Sequence, residues 1–428
     1  MFGGPMESDR PAASDDGDVR MRGFRHRATV EEALAAALEG VAPLPAEEVP
    51  LAAAAGRVAA CRVTSEVDVP GFPRATMDGY ALRAEDTYGA SAYNPIVLEV
   101  TGEAMPGRAG AGEVGPGTAW RIMTGAPLPA GADAVLRAED AAEAGGRLEA
   151  RAAVPRGRNV GRVGEDVSRG DEVVAAGRLL LPQDVGLLSS VGRATVAVHR
   201  RPRARVIVSG NELLPPGHRP EGHRIADSNG PMLEALVRRD GGEVEESLRL
   251  PDDEDAMRAA LARPGADAIV TAGAASVGRE DRVPLLVASL GVLQVHGVAM
   301  RPSSPAGVGR IGGVPVLLLP GNPVSCLVAY DFFAGPVIRS LGGRPTALPY
   351  PTAVLPLAGR LVSQIGRTDY ARVRVRSGRV EPIAVGGAAV LSSAVAADGF
   401  VIVPSGSEGF PEGHPVEVHL YRPLEGQA

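Results

Sequence analysis

Carboxylates and glycines recur where apolar runs end in the second half of this 428-residue chain. Ser209-Gly-Asn211-Glu212 follows R-V-I-V, Asp252-Asp253 follows S-L-R-L-P, and Gly273-Ala-Ala-Ser276-Val-Gly278-Arg279-Glu-Asp281 follows A-I-V-T-A. Carboxylate oxygens are hard ligands, so Glu212, Asp252 and Asp281, brought together, are a candidate Mg²⁺ site. Each taken singly is equally a helix cap or a turn residue, and both readings stay open. Pro320-Gly321-Asn322-Pro323-Val-Ser325 joins an apolar run to a helix, where backbone N–H groups and the Ser325 hydroxyl would cradle an anion. The same residue types also serve such junctions simply by turning the chain. V-A-M-Arg301-P-Ser303-Ser304-P-A-G reads as a strand end entering a rigid, anion-suited turn, with Arg301 its only charge. Ala274-Ala-Ser276-Val-Gly278 is one residue short of the G-x-S-x-G nucleophile elbow, so a serine hydrolase using Ser276 with His296 as base is a distant alternative.

Composition narrows the chemistry. The chain contains no lysine, so all 44 basic residues are arginine. That excludes P-loop NTPases, kinases of the usual design and Schiff-base enzymes, each of which needs a lysine amine. Arginine still holds anions through its permanent charge and planar fork. A net charge of -7 without a basic tract argues against nucleic-acid binding. Two cysteines, Cys61 and Cys326, build neither a metal cluster nor a disulfide framework and read as buried fillers. No secretory segment and no apolar run of membrane-spanning length is evident, which predicts a cytoplasmic protein without a membrane partner.

The elements that must position these residues alternate from Arg205 onward. Strands are expected at R-V-I-V-S-G, Glu245 to Leu250, A-D-A-I-V-T-A-G, V-L-Q-V-H-G and V-P-V-L-L-L-P. Helices are expected near Pro231 to Arg239, Asp252 to Arg263, Val283 to Leu290 and Val324 to Leu341. This is the βα rhythm of a doubly covered, mostly parallel sheet, whose functional loops lie at the strands' carboxyl ends. Asp227, Ser228 or Asn229 caps the first of these helices. Thr29 to Val41 is a capped amphipathic helix, while Ser65 to Gly177 and the chain beyond Gly343 are Gly- and Pro-punctuated and β-like.

Three longer strings carry a resemblance: V-P-G-F-P-R-A-T-M-D-G-Y-A-L-R (Val69 to Arg83), R-I-M-T-G-A-P-L-P-A-G-A-D-A-V (Arg121 to Val135) and R-V-G-E-D-V (Arg162 to Val167). With Ser209 to Leu213, Thr271 to Asp281 and Pro320 to Ser325 in order, the chain resembles the MoeA family of molybdopterin molybdotransferases, which includes the gephyrin E domain. The resemblance implies an elongated, multidomain homodimer. Residues 1–24, which mix Gly, Pro, Ser and Asp without hydrophobic periodicity, read as a flexible tail; by the resemblance 25–45 with 201–343 would be a MogA-like α/β core, and 46–64 with 171–200 a linking domain. Residues 65–170 would form a β-rich domain and 344–428 a C-terminal β-barrel. It further implies that adenylylated molybdopterin and molybdate react with Mg²⁺ assistance and release of AMP. A MogA-type adenylyltransferase and molybdoenzymes are the implied partners. By position, Asp78, Thr124, Asp166, Glu212, Asp252 and Asp281 match the family's functional polar residues. Ser276, Arg279, Arg301, Ser303, Ser304, Gly321, Asn322 and Ser325 fall on its substrate- and anion-binding segments.

The chain departs from the pattern in places that bear on charge. The family's Lys-x-x-x-Lys-Pro-Gly-Lys-Pro reads Gly297-Val-Ala-Met-Arg301-Pro-Ser-Ser304-Pro305 here. Asn211 stands at an aspartate position of S-T-G-D-E, Ala274 and Ala275 replace Gly-Val, and Arg279 replaces an acid and is a candidate compensating cation. These changes leave a second reading, a catalytically impaired paralogue that binds molybdopterin or scaffolds partners.

Overall fold

A computed structural model describes residues 27–108, 110–273, 282–384 and 387–423. The expected tail and the candidates Ser276, Arg279 and Asp281 lie outside the described residues. The chain divides into two compact units, one built from residues up to Glu47 and from His199 onward, the other from Glu48–Val198.

In the first unit six strands form one sheet: β1 (Arg203–Ser209), β2 (Glu243–Leu250), β3 (Ala268–Ala272), β4 (Val292–His296), β5 (Gly307–Ile311) and β6 (Val314–Leu319). Their order is β2-β1-β3-β6-β5-β4. Strands β2, β1, β3 and β6 run parallel, and β5 is antiparallel to both its neighbours. Because side chains alternate along a strand, Val206, Val270, Leu317 and Leu319 pack on one face with helices α1 (Val30–Leu38), α2 (Asn229–Arg239) and α5 (Pro323–Leu341). Ile207, Ile269, Val316 and Leu318 pack on the other with α3 (Glu254–Ala262) and α4 (Val283–Leu290). The α1 start is fixed by a reciprocal capping box, in which Thr29 Oγ1 accepts from Glu32 N–H at 3.1 Å and Glu32 Oε2 from Thr29 N–H at 2.8 Å.

Two expectations are corrected. Helix α5 is long and apolar enough to cross a membrane, but 83% of its apolar window is buried, so it is a core helix lying against the sheet. Cys61 is exposed; only Cys326 is a buried filler.

Buried arginines supply much of the polar scaffolding. Arg205, in the middle of β1, is 0% exposed. Its guanidinium donates to the carbonyls of Ala260 (3.2 Å), Arg263 and Pro264 (3.0 Å) and to Glu245 (3.1 Å). It therefore satisfies the orphan carbonyls at the end of α3. Arg239 donates to both Asp240 and Asp331 at 2.9 Å, and Arg339 approaches Asp240 at 2.9 Å. Burial raises Asp331 above the usual carboxylate range while Arg239 pulls it back down. Tyr350 donates to the same carboxylate at 3.0 Å, tying α5 to the start of the C-terminal segment.

That segment is a small barrel. Antiparallel strands Arg379–Ala384, Thr368–Arg376, Gly399–Val403, Pro415–Leu420 and Thr352–Pro356 pair in that order. A bridge between Leu357 and Val380 closes the ring.

The second unit holds another six-stranded sheet, in the order Ala134–Arg137, Gly79–Leu82, Thr118–Ile122, Ile96–Ala104, Arg147–Ala150, Ala141–Ala144. Trp120 is 5% exposed and packed against glycines. A Cβ on Gly102 would lie 2.4 Å from the indole Cε2, and one on Gly110 would lie 2.2 Å from Cζ3.

Two outcomes follow. Gly102→Ala should overpack this site and destabilise the second unit by about 1–3 kcal/mol in a urea melt. Arg205→Met, which leaves Glu245 and three carbonyls unpaired, should cost about 3–5 kcal/mol, and a midpoint equal to wild type would refute the scaffolding role.

Candidate functional site

The parallel strands β1, β2, β3 and β6 deliver their carboxyl ends to one sheet edge. The chain moves from β1 to β2 on one side and returns to β3 on the other, so the edge between β1 and β3 is the topological switch point where such sheets bind ligands. A cavity of about 540 Å³ opens there.

Glycine makes the close approach possible. Gly273 follows β3 at φ +95°, and a Cβ on it would fall 2.4 Å from the Ser209 carbonyl. Gly321 follows β6, and a Cβ on it would meet the Gly273 Cα at 3.4 Å. The three strand ends therefore pack backbone to backbone at the cavity.

Around them stand the acids. Asp253 caps α3 by accepting from Ala256 N–H at 2.8 Å, which releases Asp252 for another bond. Asp252 Oδ2 accepts from Asn211 N–H at 3.1 Å, and Asn211 Oδ1 accepts from Asp252 N–H at 3.2 Å. An amide makes this clamp as well as a carboxylate would, so Asn211 keeps the loop geometry while lowering the local negative charge. Glu212 and Asp252 are exposed and line the cavity with buried Asp227, whose Oδ1 accepts from Gly230 N–H at 2.9 Å at the start of α2. Burial and the Asp227 charge together push the Cys326 thiol well above its ordinary range, leaving it an inert filler.

Two buried polar atoms at the cavity have no partner among the described residues. Asn229 Nδ2 donates to the Gly321 carbonyl at 2.7 Å, which fixes the amide and leaves Oδ1 uncommitted. The Ser209 hydroxyl is likewise without a partner. Sequence reasoning placed Asp227 and Asn229 only as caps; their position just past the strand-end loop and directly before a helix was the available signal.

No arginine is among the described residues lining this cavity. No group of three or more His, Cys, Asp or Glu converges to hold a metal among the described residues, so Glu212 and Asp252 alone do not make a Mg²⁺ site. Asp281, the third expected ligand, lies outside the described residues.

The expected anion cradle is largely occupied by the protein itself. Ser303 is buried, sits at φ +89° and donates its hydroxyl to the Ser325 carbonyl at 2.6 Å. Val324 N–H, a helix-start donor, is taken by the Ala388 carbonyl at 3.0 Å. Ser325 is buried, Ser304 is half-buried, and Gly321 and Asn322 line the cavity. Arg301 does not line it; its Nη2 reaches buried Asp369 at 2.5 Å.

Asp78, Thr124 and Asp166 belong to the second unit and are exposed. Asp78 Oδ1 accepts from both the backbone N–H and the hydroxyl of Thr124 at 2.7 Å. The backbone bond first, and then the hydroxyl, hold the Asp78 carboxyl below its ordinary value. Asp166 is anchored through its backbone N–H to the Val69 carbonyl at 3.0 Å.

Comparison with known proteins agrees with this architecture. The family description "MoeA N-terminal region (domain I and II)" matches residues 28–192, "Probable molybdopterin binding domain" matches 205–340, and "MoeA C-terminal region (domain IV)" matches 354–421. Molybdopterin molybdenumtransferase 2 of Mycobacterium tuberculosis is 38% identical over 76% of this chain and 82% of its own. The molybdopterin molybdenumtransferase of Bacillus subtilis is 32% identical over 85% and 87%. The crystal structure of a molybdopterin biosynthesis MoeA protein from Pyrococcus horikoshii superposes with a TM-score of 0.78 at 34% identity, covering 93% of this chain and all of that one. With all three regions matched in order and relatives aligned over most of their length, the chain belongs to the MoeA family.

Proposed function

We propose that this protein is a molybdopterin molybdotransferase of molybdenum cofactor biosynthesis, which inserts molybdate into adenylylated molybdopterin and releases AMP. The observation that carries the reading is the switch-point cavity, which Glu212, Asp252, Asp227, Asn229 and Ser209 line without a described cation; Asn229 Oδ1 and the Ser209 hydroxyl are buried in its wall and have no partner among the described residues. Such a lining suits a ligand rich in N–H donors, and a pterin ring is one. Acceptors left unpaired in the free protein discriminate strongly for a ligand that pairs them. Anionic parts of the substrate need cations instead, and the Arg301 loop enters the cavity wall at Pro305.

The family relationship supports the transferase assignment through the names of its relatives. The same reading makes the protein a homodimer, served by a MogA-type adenylyltransferase, with molybdoenzymes downstream. Mg²⁺ is expected from the resemblance, but the described carboxylates do not complete a ligand set, so no step is assigned to it. The self-satisfied anion cradle favours the second reading, a paralogue that binds molybdopterin without inserting metal. A serine hydrolase draws no support here, since Ser276 lies outside the described residues and His296 is a strand residue in register with Gly307.

The two readings separate in one assay. Protein supplied with adenylylated molybdopterin, Mg²⁺ and molybdate should release AMP in step with cofactor formation, whereas tight binding with neither product would establish the impaired paralogue. Asn229→Ala should weaken binding of the pterin substrate about tenfold. The substitution Ser304→Arg should strengthen molybdate binding about tenfold; an unchanged affinity in the folded variant would show that this position does not face the anion.

A further inference from the structure

The first unit holds a second cavity, about 440 Å³, that shares no lining residue with the switch-point cavity. Met232 of α2, Leu327 of α5 and Leu391 of a short helix, α6 (Leu391–Val395), form its walls together with Tyr350 and Tyr421. Both phenols are already hydrogen-bonded: Tyr350 donates to Asp331 at 3.0 Å, and the Tyr421 and Tyr370 hydroxyls share a bond of 2.6 Å. What these residues offer a ligand is hydrocarbon and ring surface. Val395, also in the lining, is left 75% exposed.

One charge stands among these apolar groups. Arg422 is the only charged residue among the described residues of the lining. Its side chain is 67% exposed, and its acidic neighbour Asp398 lies 3.9 Å away, with Asp398 Oδ2 accepting from Val375 N–H at 2.9 Å. Small-molecule sites are built in this way, from a mostly apolar concavity of a few hundred Å³ and a polar group that fixes orientation. Here that group is a cation, so the complementary ligand carries a negative head on an apolar body.

We propose that this cavity is a second ligand site, which takes a small apolar carboxylate and whose occupancy biases the switch-point cavity. Three elements line both cavities. Asn229 of α2 and Pro323 of α5 line the first, and Met232 and Leu327, three and four residues on, line the second; those spacings put each pair on one helix face, a turn apart. Ala389 lines the first and Leu391 the second, and between them the chain is tied to the start of α5 by the Ala388 carbonyl, which accepts from Val324 N–H at 3.0 Å. A ligand packed against Met232 and Leu327 restrains both helix starts, so that a ligand of the first cavity loses less entropy in ordering them. The second site does not depend on which substrate the switch-point cavity takes.

The test is titration calorimetry of the full-length protein with sodium octanoate, octanol and octylamine, with thermal melts of each variant. Affinity should fall in that order, and Arg422→Gln should weaken octanoate several-fold while leaving octanol unchanged. Leu327→Trp, which fills the cavity, should abolish binding of both. Octanoate affinity equal to that of octylamine, or unchanged in Arg422→Gln, overturns the carboxylate assignment; full binding in a folded Leu327→Trp protein overturns the site. Should Leu327→Trp not fold, Leu391→Glu places a like charge on the wall, and undiminished octanoate binding there overturns the site equally. Saturating octanoate should tighten binding of the pterin substrate about fivefold in wild type and not in Leu327→Trp; an unchanged substrate affinity refutes the coupling. If wild type binds no pterin substrate, the molybdotransferase reading fails while the octanoate titrations still decide the site. Conversion of a dimer to monomer by octanoate in sedimentation would assign the cavity to a second copy of the chain and overturn the proposal.

Discussion

Parallel pairing of β1, β2, β3 and β6 is the constraint from which the site follows. A strand hydrogen-bonded in one direction has no choice about which sheet edge its end reaches. Four loops separated by as many as 111 positions between Ser209 and Pro320 must therefore emerge together. The register does the rest, because Val208 pairs with Ala272, and Ala272 with Leu319, bringing Ser209, Gly273 and Pro320 level. Only glycine tolerates the resulting contact at Gly273. The antiparallel β5 directs its carboxyl end away from this edge, and the loop that joins β4 to β5 carries the Arg301 segment and reaches the cavity wall at Pro305.

The absence of lysine shapes how the interior is held. An ammonium is a compact point charge, whereas a guanidinium distributes five donors in a plane. Arg205 uses that breadth to terminate a helix and pair a strand neighbour at once. Arg239 bridges two carboxylates and stacks over Tyr350 at 5.1 Å. Arg301 and Arg367 share one acid between loop and barrel. The same residue type thus holds helix ends and joins segments.

Most of the core was legible in the sequence because apolar runs such as V-P-V-L-L-L mark strands buried on both faces, and Asp253 or Thr29 mark helix starts. Strand β5 was not, because Gly307-Val-Gly-Arg-Ile is short and glycine-rich. Its glycine has a packing reason: a Cβ on Gly309 would lie 2.5 Å from Val287 Cγ1 of α4. At the site, Glu212 and Asp252 were readable from strand-end position alone. The Asn229 amide was not, since its role depends on a bond to Gly321, 92 residues away. Asp369 was invisible for the same reason: it lies 68 residues from Arg301, and only the barrel's pairing with the loop brings them together. Ser303 illustrates the opposite error, a residue of suitable type that backbone conformation turns inward.

The glycine-walled pocket of Trp120 has a practical consequence, because it is the only tryptophan in the chain. Its indole N–H is buried and makes no hydrogen bond among the described residues, so its emission should be blue-shifted while that pocket is intact and move to the red as water enters. The Glu48–Val198 unit thereby carries a natural optical reporter that the rest of the molecule lacks. Excitation of this single indole reads the state of one unit, while circular dichroism reads both. A gap between the two signals on heating would reveal whether the units unfold in one step or in two.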